Sequence, residues 1–274
     1  MAAVSGASRL EAGAIVTTAG LDFALTEAEL ARIARGVGTR RVKNVSLDPK
    51  TGIVRGAADD VMDDGLIAAL MFRHAQWARE RIIEVAPAYA RHLRMGRASL
   101  RTRDAGAPAI SRRKDDRRLH ADAFPSRPTG GERILRVFSN INPAGQPRIW
   151  RVGEPFEDYA RRWLNQIRQP WPGEAWLLRR VGVTRGRRTA YDALMLGLHD
   201  RAKLDEAYQR DGPSREVAFG AGSGWMVFTD GVIHAAVSGC FALEQTFYLP
   251  VRGMENPEAS PLRVLERLTQ RKLV

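Results

Sequence analysis

Cysteine is nearly missing from this chain: Cys240 is the only one among 274 residues. No internal disulfide can staple the fold, and no Cys-x-x-Cys pair can hold zinc. No run of eighteen apolar residues occurs, so no segment reads as a membrane-crossing helix. Residues 1–20 are rich in Ala, Gly and Ser but lack the basic start and unbroken apolar stretch of a secretion signal. The expectation is a soluble, unsecreted protein. Zinc-finger spacings and aromatic-rich RNA-binding motifs are also lacking, so no nucleic-acid partner is expected.

What the chain has in excess is positive charge, formally +12. A field of that sign draws in polyanions, anionic membrane surfaces or acidic substrates without choosing among them. Two stretches concentrate it. Residues 97–118 hold eight Lys/Arg against three Asp, and residues 161–188 hold eight Arg against one Glu. Each could equally be a solvated face. Hydrophobic residues make up 44% of the chain, enough for a sizeable core at this length.

The pattern along the chain changes character once. Residues 1–20 read as a flexible start and residues 21–95 as a helical flank. Thr26 and Glu29 form a capping box, and Gly36 stops the short helix they open. A longer helix follows over residues 64–85, where Leu66, Ile67, Leu70, Met71, Trp77, Ala78 and Ile82 recur at helical spacing ahead of Pro87. His74 falls within that apolar stripe and reads as a core histidine. Residues 96–250 then carry eight short strand-like segments, at 98–103, 119–122, 134–141, 148–152, 216–219, 224–229, 232–237 and 241–249. A helical insert, residues 155–210, separates the fourth from the fifth, with one helix opened by Glu154-Pro155 and another capped by Thr189. Residues 251–274 close with a helix capped by Ser260. Four strands on each side of an insert give a mainly β fold with helices, a double-stranded β-helix of the jelly-roll or cupin type, in one domain spanning residues 1–274. A βαβ fold would need helices between successive strands, and the last four leave no room for any.

His120-Ala121-Asp122 lies on the second strand, whose two-residue period turns both side chains to one face. His234 follows the Asp230-Gly231 turn on the seventh. Either element alone is a weak signal. Together they supply two imidazoles and one carboxylate, a set that occupies one face of an octahedron and leaves three positions for a chelating co-substrate and dioxygen, as in non-haem iron oxygenases. His92 and His199 fall on or near helices without a partner and read as structural. A 2-oxoglutarate co-substrate needs a cation at its far carboxylate, and a guanidinium offers the matching fork. On the last strand the nearby position is Gln245, with Arg252 too distant. Arg148-Ile149-Trp150 on the fourth strand resembles the basic residue, one residue, then Trp of Jumonji-type hydroxylases. Arg148 is therefore preferred over Arg136 for this role, with Asn140 assisting.

Longer runs carry a closer resemblance. Arg117 through Pro128, Gly131 through Phe138, Asn140 through Pro143, Trp150 through Phe156, Thr229 through His234 and Phe241 through Phe247 together resemble the Kdo hydroxylase family over about residues 95–250. That resemblance implies iron(II) and 2-oxoglutarate as cofactor and co-substrate, and hydroxylation of carbon 3 of 3-deoxy-D-manno-octulosonic acid (Kdo) on lipid A to give the 3-hydroxy sugar Ko. Its implied partners are Kdo-lipid A, dioxygen and the inner-membrane surface, so the expected location is cytoplasmic and peripheral to that membrane. A homo-oligomer is compatible with such a chain. An anionic glycolipid also suits the basic clusters, and Arg127, just past the metal-binding strand, is the candidate for the substrate carboxylate. The competing expectations are a protein hydroxylase of Jumonji type with the same iron site, and a basic nucleic-acid-binding protein without catalysis.

Overall fold

The computed structural model describes residues 4–17, 22–37, 44–57, 65–107, 111–168, 171, 173–184 and 186–274. Seven strands carry the expected core: β4 (Arg94–Arg101), β5 (Arg133–Asn140), β6 (Arg148–Pro155), β7 (Ser214–Phe219), β8 (Gly224–Phe228), β9 (Val232–Ser238) and β10 (Ala242–Leu249). They divide into two antiparallel sheets. The larger has the order β1-β8-β5-β10-β4-β2-β3, where β1 is Val16–Thr17, β2 is Val45–Leu47 and β3 is Val54–Arg55. The smaller has the order β7-β6-β9. Counting the His120 segment as the second position, strands one, eight, three and six lie in one sheet and two, seven, four and five in the other, which is jelly-roll topology.

The second strand shrinks to a single bridge, His120 to His234. Its outer edge explains the contraction. The amide and carbonyl of Leu119 are taken by the Gln209 side chain, at 2.7 and 3.0 Å, and the Asp122 amide turns to the Thr229 carbonyl at 2.8 Å. The backbone is satisfied without a ladder.

Side-chain alternation survives. Leu119 and Ala121, with Ile233 and Ala235 of β9, face outward into a core built with the insert helices and the C-terminal helix. In the insert, α4 is Phe156–Trp163, α5 Glu174–Arg180, α6 Ala190–Leu204 and α7 Glu206–Asp211, and the C-terminal helix α8 is Pro261–Thr269. His120, Asp122 and His234 consequently face inward. Between the sheets, Trp225 stacks on Phe219 at 3.9 Å and on Phe138 at 5.2 Å, and Trp150 meets all three edge-on. This aromatic plug fills one end of the sandwich. Burying each such side chain contributes about 1.5–3 kcal/mol.

The N-terminal region differs from a purely helical flank. The helices α2 (Glu27–Arg35) and α3 (Leu66–Val85) are present, and α2 has the Thr26–Glu29 capping box. They pack on the outer face of the large sheet through Ile33, Ile67, Leu70 and Met71. Between them, however, β2 and β3 extend that sheet. Segments of three and two residues are too short for alternation to register in the sequence. Nor are residues 1–20 simply a flexible start. Helix α1 (Gly6–Glu11) is capped by Ser5, and its Glu11 is buried, accepting from the Tyr89 hydroxyl at 2.6 Å and from the amides of Glu255 and Asn256. Glu154-Pro155 ends β6 and also opens α4 as expected, with Pro155 as its N-cap, but the α-helix stops at Trp163 and only a 3-10 turn, Leu164–Gln166, continues it. Thr189 caps α6 as expected, but that helix breaks at Asp205, which caps α7. No helix among the described residues is long and apolar enough to cross a membrane.

Candidate active site

One backbone bridge sets the register of the site. His120 and His234 exchange main-chain hydrogen bonds at 3.1 and 3.0 Å, which brings their rings to 4.7 Å between centroids. Each Nδ1 lies against a main-chain carbonyl two residues upstream: His120 at 2.7 Å from Arg118 and His234 at 2.9 Å from Val232. A carbonyl can only accept, so both Nδ1 atoms carry the proton and both Nε2 atoms present lone pairs. Burial, then the nearby Lys203, pushes the His120 pKa down to about 3, and burial also lowers that of His234. Both rings stay neutral near pH 7, the form a metal needs.

Asp122 completes the cluster. Ligand atoms of the three side chains all lie within 4.8 Å of one another, and all three residues are buried. Burial works against a charge on Asp122, but the Arg136 guanidinium holds its carboxyl well below the usual range. Its Oδ2 sits 3.3 Å from Arg136 Nη2 without an aligned hydrogen bond, leaving a buried anionic oxygen without an aligned donor. Two lone pairs on neutral imidazoles beside an ionised, under-satisfied carboxylate suit one divalent cation.

The cluster opens into a cavity of about 280 Å³ lined by six basic residues, Arg101, Arg113, Lys114, Arg136, Arg148 and Lys203, against Asp116 and Asp122. Behind it runs a chain of ion pairs. Glu244 pairs with Arg101 at 2.5 Å and with Arg136 at 3.3 Å, and Arg136 reaches Asp122. These partners hold Glu244 ionised despite its burial.

Arg148 differs from its neighbours. Its Nη1 donates to the Gly239 carbonyl at 2.9 Å, its Nε is buried with no partner, and no carboxylate pairs with it among the described residues. Burial, then repulsion from Arg101, pushes its pKa down to about 10. Gly239 has φ +97°, and a Cβ there would stand 2.8 Å from Arg148 Cα, so glycine permits the packing. Trp150, stacked 5.1 Å from His234, also has an unpartnered buried Nε1.

The structure thus brings together His120, Asp122, His234, Arg136 and Arg148 from the sequence reading. Asn140 does not join them. Its amide closes the loop after β5, donating to Gln146 and Phe219 and accepting from the Asn142 amide. Arg127 lines a separate cleft. His74 is a core residue, 3.0 Å from Ser139 Oγ between Phe23 and Trp77. His199 is not merely structural in position: it lines the cavity, edge-on to His120 at 5.2 Å. Arg101, His199 and Lys203 escaped the sequence reading of this site, and no local signal marks them, whereas Trp150 entered it only as the motif partner of Arg148.

The family model of 3-deoxy-D-manno-oct-2-ulosonic acid (Kdo) hydroxylase matches residues 3–272. Among solved structures, the Kdo hydroxylase KdoO, a non-heme Fe(II) α-ketoglutarate-dependent dioxygenase in complex with α-ketoglutarate and Fe(III), is 45% identical with a TM-score of 0.91, over 97% of this chain and 89% of that one. Its cobalt(II) complex matches at 45% identity and its succinate–Fe(III) complex at 44%, both with a TM-score of 0.91 and the same coverage. No curated protein sequence matches. With nearly its whole length matched by that model, and with the two-histidine, one-aspartate cluster set inside a jelly roll, this chain belongs to the Kdo hydroxylase family.

Proposed function

We propose that the protein uses iron(II) and 2-oxoglutarate to hydroxylate carbon 3 of Kdo carried on lipid A, forming Ko with succinate and carbon dioxide. The observation that carries this reading is the inward-facing His120–Asp122–His234 cluster at the base of a strongly basic cavity. His120 and His234 would hold the metal through Nε2 and Asp122 through its carboxylate. When bound, iron(II) with 2-oxoglutarate and dioxygen supplies an oxidant that can exchange a C–H bond for C–OH.

The protein's own contribution is geometry and charge. Arg148, buried and without a carboxylate partner among the described residues, is suited to the distal carboxylate of 2-oxoglutarate, with the Trp150 Nε1–H beside it. Arg101 and Arg136, tethered through Glu244, keep the surrounding potential positive, and Arg136 also holds Asp122 in place. Phe124, Pro125 and Phe138 in the lining exclude water from the reacting carbon. Arg113, Lys114 and Lys203 complete the basic lining that would draw in the Kdo carboxylate.

Peripheral contact with the cytoplasmic face of the inner membrane belongs to the same proposal. In the insert, Trp171 and Trp176 are 48% and 66% exposed, Leu177, Val181 and Val183 are exposed beside them, and Arg179 and Arg180 follow Trp176 in the same helix. Tryptophan and arginine on one surface suit the headgroup layer of an anionic bilayer. Arg188 ties this region to the cavity rim, donating to the Pro125 carbonyl at 2.8 Å.

The test is mass spectrometry of Kdo-lipid A after incubation with protein, iron(II), ascorbate and 2-oxoglutarate. A gain of one oxygen on the sugar, dependent on 2-oxoglutarate, is expected. An unchanged glycolipid, or oxygen found on the acyl chains, would overturn the assignment.

A further inference from the structure

His199 reaches the metal cavity from the insert but takes no part in holding the metal or 2-oxoglutarate. It lies on α6, four residues before Lys203, so both side chains leave one face of the helix and both line the cavity. The helix is pinned directly before it. Leu198 is fully buried in the core behind β9, and its carbonyl accepts from the Tyr159 hydroxyl at 2.8 Å. The imidazole stands edge-on to His120, with ring centroids 5.2 Å apart. Whatever His199 meets in the cavity is therefore next to the metal cluster.

The ring is held from behind. Asp200 Oδ1 lies 3.0 Å from His199 Nδ1, and the other oxygen of that carboxylate lies 3.1 Å from Arg113 Nε. A carboxylate held by a guanidinium only accepts, so the fitting tautomer carries its proton on Nδ1 and its lone pair on Nε2. Among the described residues nothing donates to that Nε2.

A lone pair of this kind is scarce in the lining. Arg101, Arg136, Arg148, Lys203 and the Trp150 ring N–H can only donate. His120, Asp122 and His234 serve the metal, and Asp116 is engaged by Arg101 at 3.2 Å. Among the described lining side chains, His199 Nε2 is thus the acceptor with neither a metal nor a cation to satisfy. Donors suit the carboxylates of Kdo and 2-oxoglutarate. A sugar hydroxyl removed from water must instead give its proton to an acceptor or leave it unsatisfied. The methylene at carbon 3 of Kdo has the carboxylate-bearing anomeric carbon on one side and carbon 4, which bears a hydroxyl, on the other.

We propose that His199 is a specificity-determining residue whose Nε2 accepts a hydrogen bond from the hydroxyl on carbon 4, turning carbon 3 toward the His120–Asp122–His234 cluster. Asp200, with Arg113 behind it, is the positioning residue that keeps the lone pair aimed inward. The proposal rests on the reading that the cavity accepts that sugar.

The experiment compares Kdo-lipid A with its 4-deoxy analogue in neutral detergent micelles. Equilibrium binding is measured on protein loaded with cobalt(II) and 2-oxoglutarate, and kcat/KM on the iron(II) enzyme. Wild type is expected to prefer the natural glycolipid by about 10- to 100-fold in both, the range for leaving a buried partner unsatisfied. His199→Ala should weaken the natural glycolipid by the same factor and leave the analogue unchanged, a non-additivity that marks a direct contact. His199→Gln, whose amide ends near the position of Nε2, should recover most of the preference, and His199→Asn, whose amide ends near Nδ1, should not. Asp200→Ala keeps the contact between His199 and His120 and should cut the preference several-fold. Cobalt(II) affinity, titrated by visible absorption, should match wild type in every variant. An equal loss on both glycolipids, a preference that survives His199→Ala, or a His199→Gln no better than His199→Ala would overturn the role. Weakened cobalt(II) binding in His199→Ala would also overturn it, by making the ring a prop for the metal seat. A binding preference that His199→Ala abolishes, without oxygen gain by wild type, would sustain the contact and refute the reaction.

Discussion

The two helical regions that cover the sandwich differ in kind. The N-terminal region, through α1, α2 and α3, closes the outer face of the large sheet with apolar contacts and, among the described residues, sends no side chain into the cavity. The insert closes the outer face of the small sheet in the same manner, yet α6 also carries His199 and Lys203 to the cavity lining. The first region is support. The second is support and part of the site, so damage there should reach chemistry as well as stability.

The largest effect should come from the residues that both coverings serve. His120→Ala, Asp122→Ala or His234→Ala is expected to reduce turnover by more than about 100-fold, beyond the usual cost of losing an outer-shell partner. Circular dichroism and the thermal midpoint should change little. Substantial activity in any of the three would remove that residue from the metal set.

Arg148→Ala should come next, raising the apparent constant for 2-oxoglutarate by about 10- to 100-fold, with Arg148→Lys intermediate because the bidentate fork is lost. Steady-state kinetics checks this. An unchanged constant in both variants, with a large rise for Arg136→Ala, would move the role to Arg136.

The sharpest test of the comparison pairs Leu70→Ala in α3 with Leu198→Ala in α6, both fully buried. Each should cost about 2–5 kcal/mol of stability in denaturant unfolding. Turnover per folded molecule should stay level for the first and fall for the second, because Leu198 precedes His199 on the helix that places it. Equal turnover in the two would show that the insert is a cover like the flank.

The smallest effect belongs to the surface. Trp176→Ala should weaken binding to phosphatidylglycerol vesicles several-fold while leaving turnover of micellar substrate unchanged, measured by co-sedimentation. Undiminished vesicle binding would remove α5 from the membrane contact.

Much of the architecture was legible from short-range pattern. The caps at Thr26, Thr189 and Ser260 stand where the sequence signals them, because a cap depends on residues three apart. The inward pairing of His120 with Asp122 followed from strand period alone. What escaped notice depends on contacts across the chain. Gln209 completing the edge of Leu119 spans 90 residues, and nothing local marks it. Arg101 looked like one more arginine in a basic run, and only its pairing with Glu244, 143 residues away, draws it to the site. Asn140 was misread because an asparagine at a strand end serves a loop as readily as a ligand. The short strands β2 and β3 became strands only because β4 offered an open edge.

Both histidines of the metal cluster are oriented by main-chain carbonyls, at Arg118 and at Val232. In many metal sites the orienting partner is an aspartate or a glutamate, which one codon change can delete. A carbonyl has no codon. Whatever residue replaces Arg118 or Val232, the oxygen remains as long as the strand does, so tautomer and ring direction are insulated from drift in the surrounding sequence. The cavity walls can accordingly change without moving the metal seat, which is set by the backbone.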